Sequence, residues 1–101
     1  MRIEVLYVPG CCNLEPTLNR AREVLRAEGV ELSVAEIAVA EPAAARSLKF
    51  PGSPTVRVNG VDVEPGVEAV FGLACRLYTD GTGLPSQAAL RRAISAGRDQ
   101  P

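Results

Sequence analysis

The dipeptide Asn59-Gly60 lies between two short runs that alternate β-branched and polar residues, and it constrains the fold more than any other feature of the chain. Asn-Gly is favoured in two-residue turns between antiparallel strands, because both turn positions need a positive φ. We therefore predict a β-hairpin from residues 55–58 and 61–63. A dense group of turn residues at positions 51–54 immediately precedes it.

Upstream of the hairpin, segments with the apolar pattern of a strand alternate with segments that have the apolar spacing of a helix. Residues 2–8 form a nearly continuous apolar run, which is typical of a central strand covered on both faces. From Leu14 to Leu25 the apolar residues recur at helical spacing, and Gly29 predicts the end of that helix. Residues 30–39 predict a second strand, and residues 42–48 predict a short alanine-rich helix that Pro42 can open.

Downstream of the hairpin, residues 64–85 form a long connection, after which Ser86 can cap a last helix that ends at Gly97. The predicted order is β-α-β-α-β-β-α. Its first β-α-β unit implies a parallel pair with a right-handed crossover, and the hairpin adds antiparallel strands. We therefore predict a single α/β domain over residues 1–101, with a four-stranded mixed sheet and helices on both faces.

The net charge of −1 leaves the chain without the basic field that nucleic acid or anionic lipid would require. No apolar run approaches the roughly 20 residues that span a bilayer. Glu4 interrupts the N-terminal apolar run, so we interpret it as a strand and not as a signal peptide. We expect a cytoplasmic protein with no nucleic-acid or membrane partner. The hairpin residues Arg57 and Asp62 are expected to be solvated.

The chain contains three cysteines and no histidine. An odd number of cysteines argues against the disulfide framework of a secreted domain. The absence of imidazole excludes Cys–His and Ser–His catalysis and every metal site that needs histidine. Any nucleophile for covalent chemistry, or any ligand for a soft metal ion, must therefore be a cysteine.

Cys11 and Cys12 lie where the first strand gives way to the first helix. Backbone N–H groups at a helix N-terminus favour thiolate, the reactive form of cysteine, so Cys11 is our candidate nucleophile. The alternative is a small buried apolar residue. Cys12 could form a vicinal disulfide with Cys11 or help it to hold a soft ion, or its side chain could point away from the site.

Cys75 is distant in sequence, but the predicted topology returns the connection after the hairpin to the same end of the sheet as Cys11. There Cys75 could act as a resolving thiol or as a further metal ligand. The alternative is a cysteine buried between Leu73 and Leu77.

The element order, the cysteine after the first strand and the stretch Ser53-Pro54-Thr55 before the third resemble thioredoxins and glutaredoxins over residues 2–97. Those families usually carry C-x-x-C, whereas here Leu14 occupies the second cysteine position. The resemblance implies that Pro54 is cis. It also implies that residues 53–55 bind substrate, with the Thr55 backbone exposed to an extended or glutathione-like peptide beside Cys11.

Three functions follow as hypotheses. In the first, a thiol–disulfide redox protein uses Cys11 to attack a protein disulfide or a glutathione mixed disulfide, and Cys75 or an external low-molecular-weight thiol resolves the product. In the second, Cys11, Cys12 and Cys75 form a two- or three-thiolate site for Hg(II), As(III) or Cu(I). In the third, the fold serves only as an interaction domain. We expect no resident cofactor, and the ligands considered are glutathione and a soft metal ion. A ferredoxin-like metallochaperone would need a different element order.

Overall fold

The computed structural model describes residues 1–64, 72–78 and 81–98. The elements in chain order are β1 (Ile3–Tyr7), α1 (Leu14–Ala27), β2 (Ala35–Ala38), α2 (Pro42–Ser47), β3 (Thr55–Val58), β4 (Val61–Asp62) and α3 (Gln87–Arg98). This is the order predicted from the sequence. Part of the predicted connection at residues 64–85, namely positions 65–71 and 79–80, lies outside the described residues.

The four strands form one open mixed sheet in the order β2-β1-β3-β4. The central strand β1 pairs with β2 in parallel and with β3 in antiparallel orientation, and β3 pairs with β4 in antiparallel orientation. Asn59 and Gly60 both have positive φ, 54° and 83°, as the predicted turn requires. The predicted α/β class, mixed sheet and hairpin are therefore confirmed.

Alternate side chains of β1 face two separate hydrophobic clusters. Ile3 and Val5 belong to the larger cluster, which the apolar faces of α1 and α3 complete. Leu6 belongs to the smaller cluster, together with Ala45 of α2 and Phe50. The sheet is thus covered by helices on both faces, as the continuous apolar run of β1 predicted.

The long helices follow the pattern read from the sequence. In α1 the buried side chains include Leu18, Ala21 and Val24, which share one face at helical spacing. Ahead of α3, the Ser86 Oγ accepts a 3.0 Å hydrogen bond from the Ala89 N–H, so the predicted N-cap is confirmed. Within the described ranges no helix combines the length and apolarity needed to cross a membrane.

Two predicted boundaries were wrong. The second strand covers only Ala35–Ala38 and not residues 30–39, because its register begins with Glu4 opposite Ala35 and the preceding residues have no partner on β1. Gly97 does not end the last helix, which continues to Arg98. Gly97 is buried inside that helix, where a Cβ would lie 2.7 Å from Val58 Cγ1. Close packing on β3 therefore accounts for this glycine.

Candidate thiol site

A tight turn after β1 positions Cys11 and Cys12. The Cys11 N–H donates to the Val8 carbonyl at 3.0 Å, and the Leu14 N–H donates to the Cys11 carbonyl at 3.3 Å as α1 begins. The Val8 N–H in turn donates to Ser53 Oγ at 2.9 Å. Both cysteines therefore lie in the loop immediately ahead of α1, as predicted, and their loop is tied to the segment that precedes β3.

The Ser53-Pro54 peptide bond is cis, which confirms the geometry implied by the family resemblance. Ser53 and Pro54 are buried beside the end of β1. The resemblance implied an exposed Thr55 backbone, but Thr55 lies in β3 opposite Leu6 and has no exposed surface. Its backbone is paired within the sheet and is not exposed as the resemblance implied, and substrate binding by residues 53–55 stays a prediction.

Cys75 lies directly beside Ser53. The Ser53 N–H donates to the Ala74 carbonyl at 2.9 Å, and the Arg76 N–H donates to the Ser53 carbonyl at 3.0 Å, which forms an isolated parallel bridge between Ser53 and Cys75. Cys75 is exposed, so the alternative of a buried cysteine between Leu73 and Leu77 was wrong. The predicted return of Cys75 to this end of the sheet is confirmed.

All three cysteines line one pocket of about 260 Å³. Its walls are residues 8–13, Ser53 and residues 73–75. Cys11 is half-buried, Cys12 and Cys75 are exposed, and none of them forms a disulfide. Two other pockets, of about 240 and about 430 Å³, are not lined by any described cysteine. The nucleophilic side chains of the chain are thus concentrated at one pocket.

Arg76, which the sequence analysis missed, anchors the segment that carries Cys75. Its side chain is 2% exposed, and its guanidinium bonds both carboxylate oxygens of Asp62 at 2.7 and 3.1 Å. It also donates to Thr55 Oγ1 at 3.1 Å and to the Glu64 carbonyl at 3.0 Å. Its Cζ lies 4.3 Å from the centre of the Tyr78 ring. A bidentate ion pair with a cation–π contact fixes this side chain in one orientation.

The expectation that Asp62 and Arg57 are merely solvated was therefore wrong. Asp62 pairs with Arg76, and Arg57 Nη2 donates to the Leu48 and Lys49 carbonyls at the end of α2. Residues 75–78 alternate between exposed and buried positions. That period of two is typical of an extended segment, but the sequence did not signal it, because the charged Arg76 is buried and the apolar Leu77 is exposed.

Tyr78 forms a hydrogen bond with the turn that contains Pro54. Its hydroxyl donates to the Pro54 carbonyl at 2.7 Å. Burial raises the pKa of Tyr78 well above its ordinary value, because the phenolate would lose its hydration. The hydroxyl therefore remains a hydrogen-bond donor to the turn throughout the neutral pH range.

Within the described part of the chain, no group of three or more histidine, cysteine, aspartate or glutamate side chains is arranged to hold a metal ion. The three cysteines share the pocket without forming such a group. Comparisons with models of protein families, with curated proteins and with solved structures find no match for this chain. The function must therefore be argued from the chemistry of the pocket itself.

Proposed function

We propose that this chain is a small thioredoxin-like thiol–disulfide redox protein in which Cys11 is the nucleophile and Cys75 the resolving thiol. One observation carries the proposal: thiols from two segments far apart in sequence line the same pocket. Both are accessible to a substrate, and both are free. A disulfide exchange reaction that is completed within one protein uses this combination of an attacking and a resolving thiol.

The reaction has two exchange steps. The Cys11 thiolate attacks one sulfur of a substrate disulfide, the S–S bond breaks, and one substrate thiolate leaves while Cys11 becomes a mixed disulfide. The Cys75 thiolate then attacks the Cys11 sulfur and releases the second substrate thiolate. The substrate gains two electrons, the protein ends as the Cys11–Cys75 disulfide, and the protons of the two cysteines neutralise the released thiolates. Two molecules of an external low-molecular-weight thiol then reduce the protein again and leave as their own disulfide.

A continuous set of hydrogen bonds supports the pairing of Cys11 with Cys75. The Cys11 N–H bonds to Val8, the Val8 N–H bonds to Ser53, and Ser53 bonds on both sides of Cys75 to Ala74 and Arg76. The backbone beside each of the two cysteines is therefore hydrogen-bonded to the same buried serine. Cys11 is half-buried whereas Cys12 is exposed, so the pocket shields Cys11 more than its neighbour.

The thioredoxin-like assignment draws on the element order, the mixed sheet and the cis Ser53-Pro54 bond beside the end of β1. The departure from the family pattern also has a physical explanation. Leu14, at the second position of the C-x-x-C motif, packs against the larger hydrophobic cluster. We propose that Cys75, from the other wall of the pocket, supplies the thiol that is missing there.

The other two hypotheses receive less support from the site. A three-thiolate site for a soft metal ion would require three converging ligands, and the described residues contain no such group. A domain without thiol chemistry would have no need for three accessible cysteines around one pocket. Thiol–disulfide exchange uses free thiols that line one pocket, which is the arrangement of the three cysteines here.

A trapping experiment tests the proposal. When the reduced Cys75→Ser variant reacts with a small disulfide, we expect a mixed disulfide to accumulate on Cys11, because the proposed resolving thiol is absent and a disulfide between adjacent cysteines is strained. The wild type and the matched Cys12→Ser variant should pass through this species without accumulating it. Peptide mapping by mass spectrometry locates the adduct. An adduct found mainly on Cys12, or one that accumulates equally in the wild type, would refute the proposal.

A further inference from the structure

We infer that this pocket accepts compact, uncharged disulfides and discriminates against both extended polypeptides and glutathione disulfide. The inference rests on the proposed function and narrows its substrate class. Three observations carry it: the backbone beside the thiols is already paired, a buried ion pair holds the pairing segment in place, and no lysine or arginine lines the pocket.

The backbone edge at Ser53 is closed by the chain itself. An extended polypeptide recognised by strand addition needs a free N–H and a free C=O on the receiving strand. The Ser53 N–H and C=O are both used, by the Ala74 carbonyl at 2.9 Å and by the Arg76 N–H at 3.0 Å. Residues 74–76 thus lie where a polypeptide substrate would have to pair beside Cys11.

The segment that closes this edge is anchored. Arg76 is buried and bonds Asp62, Thr55 and the Glu64 carbonyl, so displacing residues 74–76 would separate a buried charge from its partners. The packing is also close at Gly52, where a Cβ would lie 3.0 Å from Arg76 Cβ and 3.1 Å from the Ala74 carbonyl oxygen. A peptide would therefore not displace this segment without breaking a well-connected cluster.

The charge around the pocket determines which small disulfides can bind. All eleven lysine and arginine residues of the chain lie in the described ranges, and none of them lines the pocket. The described lining residues carry no formal charge apart from any thiolate of the three cysteines. The carboxylates of glutathione would find no cationic partner there, and they would repel a reacting thiolate. A neutral disulfide has neither disadvantage.

The volume agrees with a compact substrate. At about 260 Å³ the pocket is smaller than the roughly 300–1,000 Å³ of sites that bury drug-sized ligands. Apolar side chains such as Val8 and Leu73 line it together with the thiols. These walls suit the short aliphatic arms of a small neutral disulfide.

Rates with three disulfides test the inference. Reduced wild-type protein reacts with hydroxyethyl disulfide, with glutathione disulfide and with an uncharged unstructured peptide disulfide, and each rate is divided by that of a neutral free thiol with the same disulfide. We expect this enhancement to be at least about tenfold larger for hydroxyethyl disulfide than for the other two. An equal or larger enhancement with the peptide or with glutathione disulfide would overturn the inference and leave the proposed function standing. Absence of enhancement with all three would refute both.

A variant tests the role of the anchored segment. Asp62→Asn removes the charge that holds Arg76, so the peptide enhancement should rise toward that of hydroxyethyl disulfide. Glu36→Gln, which removes an exposed carboxylate at the opposite edge of the sheet, should change neither rate. A folded Asp62→Asn protein that still discriminates against the peptide would contradict the role of residues 74–76. If that variant does not fold, the wild-type rate ratios alone decide.

Discussion

A cation buried next to an exposed cysteine is the most unusual feature at the scale of single residues. Removing a guanidinium from water is costly, and Arg76 offsets this cost with the Asp62 carboxylate, two neutral acceptors and the face of Tyr78. Its Nε has no partner among the described residues. Arg76 thus anchors the segment, whereas its exposed neighbour Cys75 lines the pocket.

A comparison of two ion pairs tests this account of Arg76. Asp62→Ala should lower the free energy of unfolding by about 3 kcal/mol, because it leaves a buried charge without its partner. Glu4→Ala is the control, since its partner Arg2 is 65% exposed whereas the Arg76 side chain is 2% exposed. That change should cost less than about 1 kcal/mol. Denaturant unfolding measures both, and equal losses would contradict the structural role of Arg76.

The anchor also predicts non-additive stability effects. In the Asp62→Ala background the further change Arg76→Met should cost less than it does alone, because the unpaired charge is removed with it. The same unfolding measurement gives the coupling free energy, which we expect to be about 1–3 kcal/mol. Additive losses would mean that the two side chains act independently.

At the scale of elements, the sequence predicted the features that are set by residues close together along the chain. The β3–β4 hairpin follows from Asn59-Gly60, and the start of α3 follows from Ser86, because turns and caps are local. The start of β2 depends on where β1 begins, and the role of Gly97 depends on a strand almost forty residues away. Such boundaries are set by tertiary contacts that periodicity does not encode.

Gly97 offers a test at this scale. Gly97→Ala should raise helix propensity, yet its Cβ would lie too close to Val58 Cγ1 on β3. We expect a net loss of about 1–2 kcal/mol in the free energy of unfolding, because overpacking outweighs the propensity gain. In a Val58→Ala background the same change should cost less, because the closest of the contacts that the added Cβ would make is removed. If Gly97→Ala destabilises both backgrounds equally, the packing explanation is wrong.

At the scale of the whole molecule, the site is assembled from three segments that the topology brings to one end of the sheet. The turn after β1 supplies Cys11, the turn before β3 supplies Ser53, and residues 73–75 supply Cys75. The sequence predicted this convergence, because the direction of each strand decides where its following loop emerges. It did not predict the Arg76–Asp62 pair, because no local sequence pattern connects two residues that are so far apart along the chain.

The closed edge at Ser53 likewise emerges only in the folded molecule. The family resemblance predicted a backbone open to an extended peptide, but the chain pairs residues 74–76 with Ser53 instead. The same segment contributes a thiol and a wall of the pocket. We therefore interpret residues 73–75, in the connection after β4, as part of the site and not merely as a link to α3.

The most direct test of the central claim is to identify the disulfide that forms when the reduced wild-type protein is oxidised by a small disulfide. After alkylation of the remaining thiol, proteolysis and mass spectrometry show which cysteines are joined. The account predicts an intramolecular Cys11–Cys75 disulfide with Cys12 alkylated. A Cys11–Cys12 disulfide, a Cys12–Cys75 disulfide or a disulfide between two copies of the chain as the main product would contradict it.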